Sequence, residues 1–422
     1  MTQPTQHPSL QRLLRAAVDL PKRYLDPDRR AFASFRPVGP ARGTALLAHV
    51  VEGVLAKSDD PLIRRHNHFV EARLMVEALL ERGYAVDVIS WRNVQFRPKR
   101  RYDLFIGPRE NFEALAGRME KDCIRIVHLE TAHWLANNTA ALARLREVQA
   151  KRGVALTSIA QLRMNRAIEE ADYATMLGND VVYETYAFAG KRIFQIPNPG
   201  TILQPWIEDR DFAQARTRFL WLGSTGLVHK GLDVVLEAFA RMPELHLTVC
   251  GPVDRDPHFA SAYARELYET PNIRTHGWID LAGTDFAAIR AATAAHVYPT
   301  CADACCGSVI NAMHAGLIPL VTPEAGVDVD PLFGLAIASP TAEAVEATVR
   351  RLAGMPAVQV AAMARAAWEE ARRVYGHEVY RRTFGEVIET IVAEHPHGAT
   401  PGFVLMKEGS RPRDGALAIS GS

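Results

Sequence analysis

The sequence predicts an α/β protein of two doubly wound domains facing each other across a cleft, and three observations lead there. At 422 residues the chain is too long for one ordinary core. From Thr44 onward, short β-branched or apolar runs alternate with helical stretches, the pattern of a parallel sheet covered on both faces. After the loop "PGTILQPWIEDRD" the alternation starts again, so one sheet is followed by another. Ligands of such sheets bind at the carboxyl ends of the strands, and here two such ends can face one another.

Residues 1–35 read as an extension, with a helical stretch near Ser9 to Leu20 and then the basic, proline-bearing "PKRYLDPDRR". Its cations could touch an anionic membrane surface, but interspersed aspartates favour an ordinary docked or solvated helix. The first domain is assigned to residues 36–203. "TALLAHVV" reads as a strand, "HFVEARLMVEALLERG" as an amphipathic helix closed by Gly83, and "AVDVISW" as the next strand. "YDLFIG", "IRIVHL", "YATMLG" and "IFQIPN" follow as further strands. The second domain is assigned to 204–375, with strands at "RFLWLG", "HLTVCG", "IRTHGW", "AHVYPT" and "LIPLVT". Helical residues from Ala357 to Glu394 outlast what this sheet needs, so 376–395 is expected to pack back on the first domain, and 396–422 reads as a loose tail.

Composition narrows the function classes. With 48% hydrophobic and 23% charged residues, the chain has the make-up of a globular protein. A formal charge of +1 supplies no global field for nucleic acid, so an anion site must be built locally. There is neither a signal-peptide core nor an 18-residue apolar run, so a cytoplasmic location is expected, including the inner face of a membrane. Five cysteines without zinc-type spacing fit a reducing compartment. Asp-x-Asp begins at Asp26, Asp209, Asp254 and Asp328, too often to mark a metal site. No metal and no cofactor is expected.

Two strand ends carry the chemistry. In "LWLGSTGLVHKGLD" a strand closes at Gly223, the small loop residues Ser224 and Thr225 follow, and Lys230 arrives as a helix begins. An ammonium beside a helix N-terminus suits a diphosphate, although the spacing is not that of a nucleotide-triphosphate loop. In "CADACCGSVINAMHAG" the loop after "AHVYPT" runs into a helix at Gly307 and Ser308, whose backbone N–H groups can bind phosphate oxygens. Asp303 can accept from sugar hydroxyls, Asn311 can reach a ribose, and Cys305 and Cys306 read as small packing residues of the same loop.

These residues carry a resemblance. Arg218 to about Ser339 resembles the nucleotide-sugar half of GT-B glycosyltransferases, in particular family 4, whose members are retaining enzymes with two Rossmann-like domains. Lys230-Gly231 matches the family's phosphate-binding lysine and glycine. Asp303 and Asn311, with seven residues between, fall where the family has two glutamates, and Thr225 where it has an arginine. The resemblance implies nucleobase contacts at Gly277, Trp278 and Ile279, with "TPEAGVD" near the donor sugar. In the first domain, His66 and Asn67 fall where the family has paired glycines near phosphate or acceptor. The family's catalytic-region histidine falls on His128 or His133; His128 fits the strand end better, and Glu130 could orient either ring. "IPNPG" resembles the segment before the interdomain linker.

What the resemblance implies is transfer of a sugar from a nucleoside-diphosphate sugar to a carbohydrate or lipid-linked acceptor, without metal, as in polysaccharide biosynthesis. Two alternatives stay open: a nucleotide-sugar epimerase, which needs acid/base carboxylates in the cleft, and a non-catalytic nucleotide-sugar binding protein.

Overall fold

A computed structural model describes residue 28 and residues 31–57, 60–157 and 160–395. The helix expected near Ser9 and the tail after residue 395 lie outside the described residues. The first sheet has seven strands: β1 (Phe32–Phe35), β2 (Gly43–His49), β3 (Tyr84–Ser90), β4 (Leu104–Pro108), β5 (Ile124–Leu129), β6 (Tyr173–Leu177) and β7 (Ile193–Ile196). Their spatial order is β1-β3-β2-β4-β5-β6-β7. All neighbours are parallel except β1, which runs antiparallel on the outer edge of β3. That edge strand falls inside the stretch expected to be an extension. Only one of its four residues, Ala33, is buried, so it offers too little alternation to be legible as a strand.

The second sheet is wholly parallel: β8 (Arg218–Leu222), β9 (His246–Cys250), β10 (Ile273–Gly277), β11 (Ala295–Tyr298), β12 (Ile318–Val321) and the two-residue β13 (Leu335–Ala336). The order is β10-β9-β8-β11-β12-β13. β11 and β12 are buried at every position, as continuous apolar runs covered on both faces must be.

The two units are tied together by helices that cross between them. The last helix, His377–Glu394, lies against helix Asn67–Glu81 of the first domain, and Tyr380 donates to the buried Glu71 at 3.2 Å. Helix Trp134–Arg152 follows β5 in the chain, yet Val148 and the downstream Leu156 are buried in the core of the second sheet. Arg144 of that helix forms a buried ion pair with Asp233 of helix Leu232–Phe239 at 2.5 Å. The first core is also continuous with Tyr298, Cys305, Cys306 and Val309 on the facing edge of the second domain. The carboxyl ends of both sheets therefore meet over a shared apolar floor.

Candidate active site

Above that floor lies a cavity of about 510 Å³ lined by both domains, within the range of small-ligand sites. On the second-domain side, Gly223 and Ser224 leave β8 and the chain returns at Lys230. Gly231 holds φ +73° and caps helix Leu232–Phe239; a Cβ there would run into the Pro299 carbonyl, so this turn requires glycine. Lys230 Nζ donates to the Tyr298 hydroxyl at 2.9 Å and lies 3.5 Å from Asp303 Oδ2. Tyr298 in turn donates to Asp303 at 3.3 Å. Burial works to lower the Lys230 pKa, but the Asp303 carboxylate outweighs it and the ammonium is held charged.

Helix Gly307–His314 starts at the cavity, with Gly307 and Ser308 in its wall. A Cβ on Gly307 would stand 3.0 Å from the Asn67 side chain, so the domains approach here as closely as a bare backbone permits. Asn67 donates to Asn198 at 2.7 Å, and Asn198 donates to the Cys305 carbonyl at 2.5 Å, a buried amide chain joining the two domains. Cys305 and Cys306 line the cavity but are nearly buried, and burial pushes the Cys305 thiol up to about 12, which leaves it unreactive. Trp278 is 55% exposed on the cavity wall, with Ile279 buried beside it.

The first-domain wall is made of longer side chains. Arg64 comes from the turn Pro61–Arg65, and His66, Asn67 and His68 from the start of helix Asn67–Glu81. His66 Nδ1 accepts from the His68 backbone N–H at 3.2 Å and so caps that helix. Crowding by protein atoms, then the His68 ring, pushes its pKa down, although solvent still reaches the ring. Glu130 follows β5 and lies 3.6 Å from Arg109 and 3.8 Å from His68. Its burial favours the neutral acid, but His68 and Arg109 outweigh this and keep it ionised.

Behind this wall sits a buried cluster. His128 Nε2 is 3.1 Å from Glu71 Oε1, and its Nδ1 is 2.9 Å from Thr175 Oγ1. Burial disfavours both charges, but each partner holds the other ionised: the Glu71 pKa is lowered and that of His128 raised. His49, Glu71 and Glu130 bring three ligand-type atoms within 4.8 Å of one another. The Val50 N–H donates to His49 Nδ1 at 2.9 Å, which puts the ring proton on Nε2, 3.4 Å from Glu71. That atom presents a proton to the carboxylates rather than a lone pair to a cation.

Residues 216–354 match the family model of glycosyl transferases group 1. Over most of the chain the fold is also similar to two solved structures, each covered over 99% of its own length. Sucrose-phosphate synthase from Thermosynechococcus elongatus aligns over 83% of this chain with TM-score 0.58 and 14% identity. Anabaena HepE, solved with UDP-glucose, aligns over 82% with TM-score 0.55 and 12% identity. The chain has the GT-B glycosyltransferase fold. AviGT4, a glycosyltransferase involved in avilamycin A biosynthesis, aligns over 84% of the chain and 99% of its own length, with TM-score 0.50 and 15% identity. No curated protein sequence matches.

The GT-B cleft gathers most of the residues singled out in the sequence. Gly223, Ser224, Lys230, Trp278, Ile279, Asp303, Cys305, Cys306, Gly307, Ser308, Asn311, His66, Asn67 and Glu130 all line it. Thr225 is exposed in the loop and Gly277 ends β10, and neither is in the lining. His128 is 1% exposed in β5 behind the wall. His133 precedes helix Trp134–Arg152, its ring against Trp134, Tyr186 and Phe188. Asn311 spends its amide on Thr201, accepting from its N–H at 2.7 Å and donating to its hydroxyl at 3.1 Å. Sequence reasoning did not place Arg64, His68, Asn198, Thr201 or Asp280 in the site. Of these only Asn198, inside "IPNPG", carried a signal.

No helix of the described residues is long and apolar enough to cross a membrane.

Proposed function

We propose that this protein is a retaining, metal-independent glycosyltransferase that moves a sugar from a nucleoside-diphosphate sugar to a hydroxyl of a saccharide or lipid-linked acceptor. One observation carries the reading: Lys230 and the start of helix Gly307–His314 converge on a cavity between two facing sheets. A fixed ammonium and aligned backbone N–H groups are what a departing diphosphate requires. The group 1 match over 216–354 falls on the wall that bears both. Retention rests on the resemblance of the same span to family 4.

In this mechanism the bond from the anomeric carbon to the diphosphate breaks while the acceptor oxygen attacks from the same face. The leaving phosphate oxygen takes the acceptor proton. Lys230 and the N–H groups at Gly307 and Ser308 stabilise the charge that develops there, the task a cation performs in other transferases. Asp303, held by Tyr298 and Lys230, accepts from a sugar hydroxyl. Trp278 offers a face to the nucleobase. His128 contributes by fixing Glu71 behind the acceptor wall.

The test is calorimetric binding of UDP, GDP, ADP and their sugars in EDTA, with Lys230→Ala and Asp303→Ala alongside, followed by an acceptor screen with NMR of the anomeric proton in the first product. Selective binding of one nucleotide, lost in Lys230→Ala, and a product of unchanged configuration are expected. Absence of binding to every nucleotide would sink the transferase reading, an inverted product the retaining mechanism, and a strict need for added divalent cation the metal-independent one.

A further inference from the structure

This inference rests on the glycosyl-transfer reading and adds a residue from the opposite domain. Charge decides it. The second domain lines the cavity with one cation, Lys230, and two carboxylates, Asp280 and Asp303. Lys230 is already paired with Asp303, so this wall by itself offers a diphosphate no net positive charge. The first domain contributes Arg64, His66, His68 and Glu130. Glu130 is held by Arg109 and His68, and His66 is biased to its neutral form. Among the described residues, Arg64 is the lining cation without an ion pair.

Its setting fits a role across the cleft. The turn Pro61–Arg65 is anchored by the neighbouring Ile63, 9% exposed in the first core, while Arg64 itself is exposed. A guanidinium on a long stem can pair bidentately with phosphate oxygens from a side that Lys230 does not occupy. We propose that Arg64 binds the donor's diphosphate from the first domain, opposite Lys230, so that the diphosphate bridges the two domains. A nucleoside monophosphate lacks the second phosphate for that bridge, so Arg64 reads its presence.

The experiment measures calorimetric affinities of the full chain for UDP and UMP, GDP and GMP, and ADP and AMP, in wild type, Arg64→Ala, Arg64→Lys and Lys230→Ala. Wild type is expected to favour one diphosphate over its monophosphate by at least about tenfold. Arg64→Ala reduces that ratio about tenfold, leaves the monophosphate affinity within about twofold, and Arg64→Lys restores part of the loss. A thermal midpoint equal to that of wild type confirms that this exposed substitution leaves the fold intact. A wild-type preference that survives in Arg64→Ala overturns the Arg64 assignment and leaves the donor reading standing. Failure of wild type to bind any of the six overturns the donor reading itself, and this assignment with it.

Discussion

The two walls of the cleft are built on the same sheet plan by opposite means. The second-domain wall uses bare backbone: Gly223, Gly251, Gly307 and a helix N-terminus, with one lysine tied to Asp303. The first-domain wall uses side chains: Arg64, two histidines and Glu130, backed by a buried ion pair between Glu71 and His128. Backbone donors are fixed by the fold and cost nothing further to orient, whereas side chains must be held by a supporting layer. The comparison teaches that the fold itself sets the geometry of one wall, while the other depends on the buried layer behind it.

Substitutions can break that contrast. The largest effect is expected from Glu71→Gln, which strips the buried His128 ring of the carboxylate that holds it charged, at about 3–5 kcal/mol of stability near pH 6. Denaturant titration reads it. Because the folded pKa of His128 is raised, its contribution is full below its unfolded value of about 6.5 and fades as pH rises through the folded one. Glu71, whose pKa is lowered, contributes above its ordinary range and ceases to do so only in stronger acid. The gap between wild type and Glu71→Gln therefore narrows toward alkaline pH. A gap that stays constant from pH 6 to pH 9 contradicts the ion-pair account.

Lys230→Ala comes next and acts on chemistry: about 10²–10³-fold in kcat, by analogy with loss of one oxyanion donor, with stability little changed. Steady-state kinetics decide it, and near-wild-type turnover would show that the helix N-terminus suffices. Asn198→Ala removes both bonds of the amide chain between Asn67 and Cys305 and should cost about 1–3 kcal/mol. Thermal unfolding with and without nucleotide measures it; an unchanged midpoint would mean that the chain is not a structural tie. The smallest effect is Trp278→Ala, about tenfold in nucleotide affinity if the exposed ring stacks on a base, with Trp278→Phe retaining most of it. Equal affinity in all three proteins would move the base elsewhere.

How much was legible follows the same divide. Every strand expected from β2 to β12 is present, because each is a run of apolar or β-branched residues bounded by turn formers. β1 and β13 escaped, being an exposed edge and a two-residue bridge. Lys230, Gly307 and Ser308 could be read because a backbone-built site leaves a local mark: glycine, then a helix start, at fixed spacing. Arg64 and His68 left none. An arginine on a turn and a histidine in a first helical turn look like solvated surface until the facing domain makes their surroundings a cavity wall. His128 and His133 show the converse, since a histidine near a strand end is spelled the same way whether it faces the cleft or, like His128, points into Glu71 and Thr175.

Sequence by itself determined the two doubly wound units and the glycine-bearing loops that carry Lys230 and Gly307, because these depend on contacts between near neighbours in the chain. Tertiary structure alone decided what faces those loops. It brought Asn67 against Gly307, spent Asn311 on Thr201, buried His128 behind the wall and set Arg64 on the same cavity as Lys230. Such pairings join residues far apart in the chain, 57 positions for His128 and Glu71 and 110 for Asn311 and Thr201, and those across the cleft form only when both sheets have folded and the crossing helices have drawn their edges together.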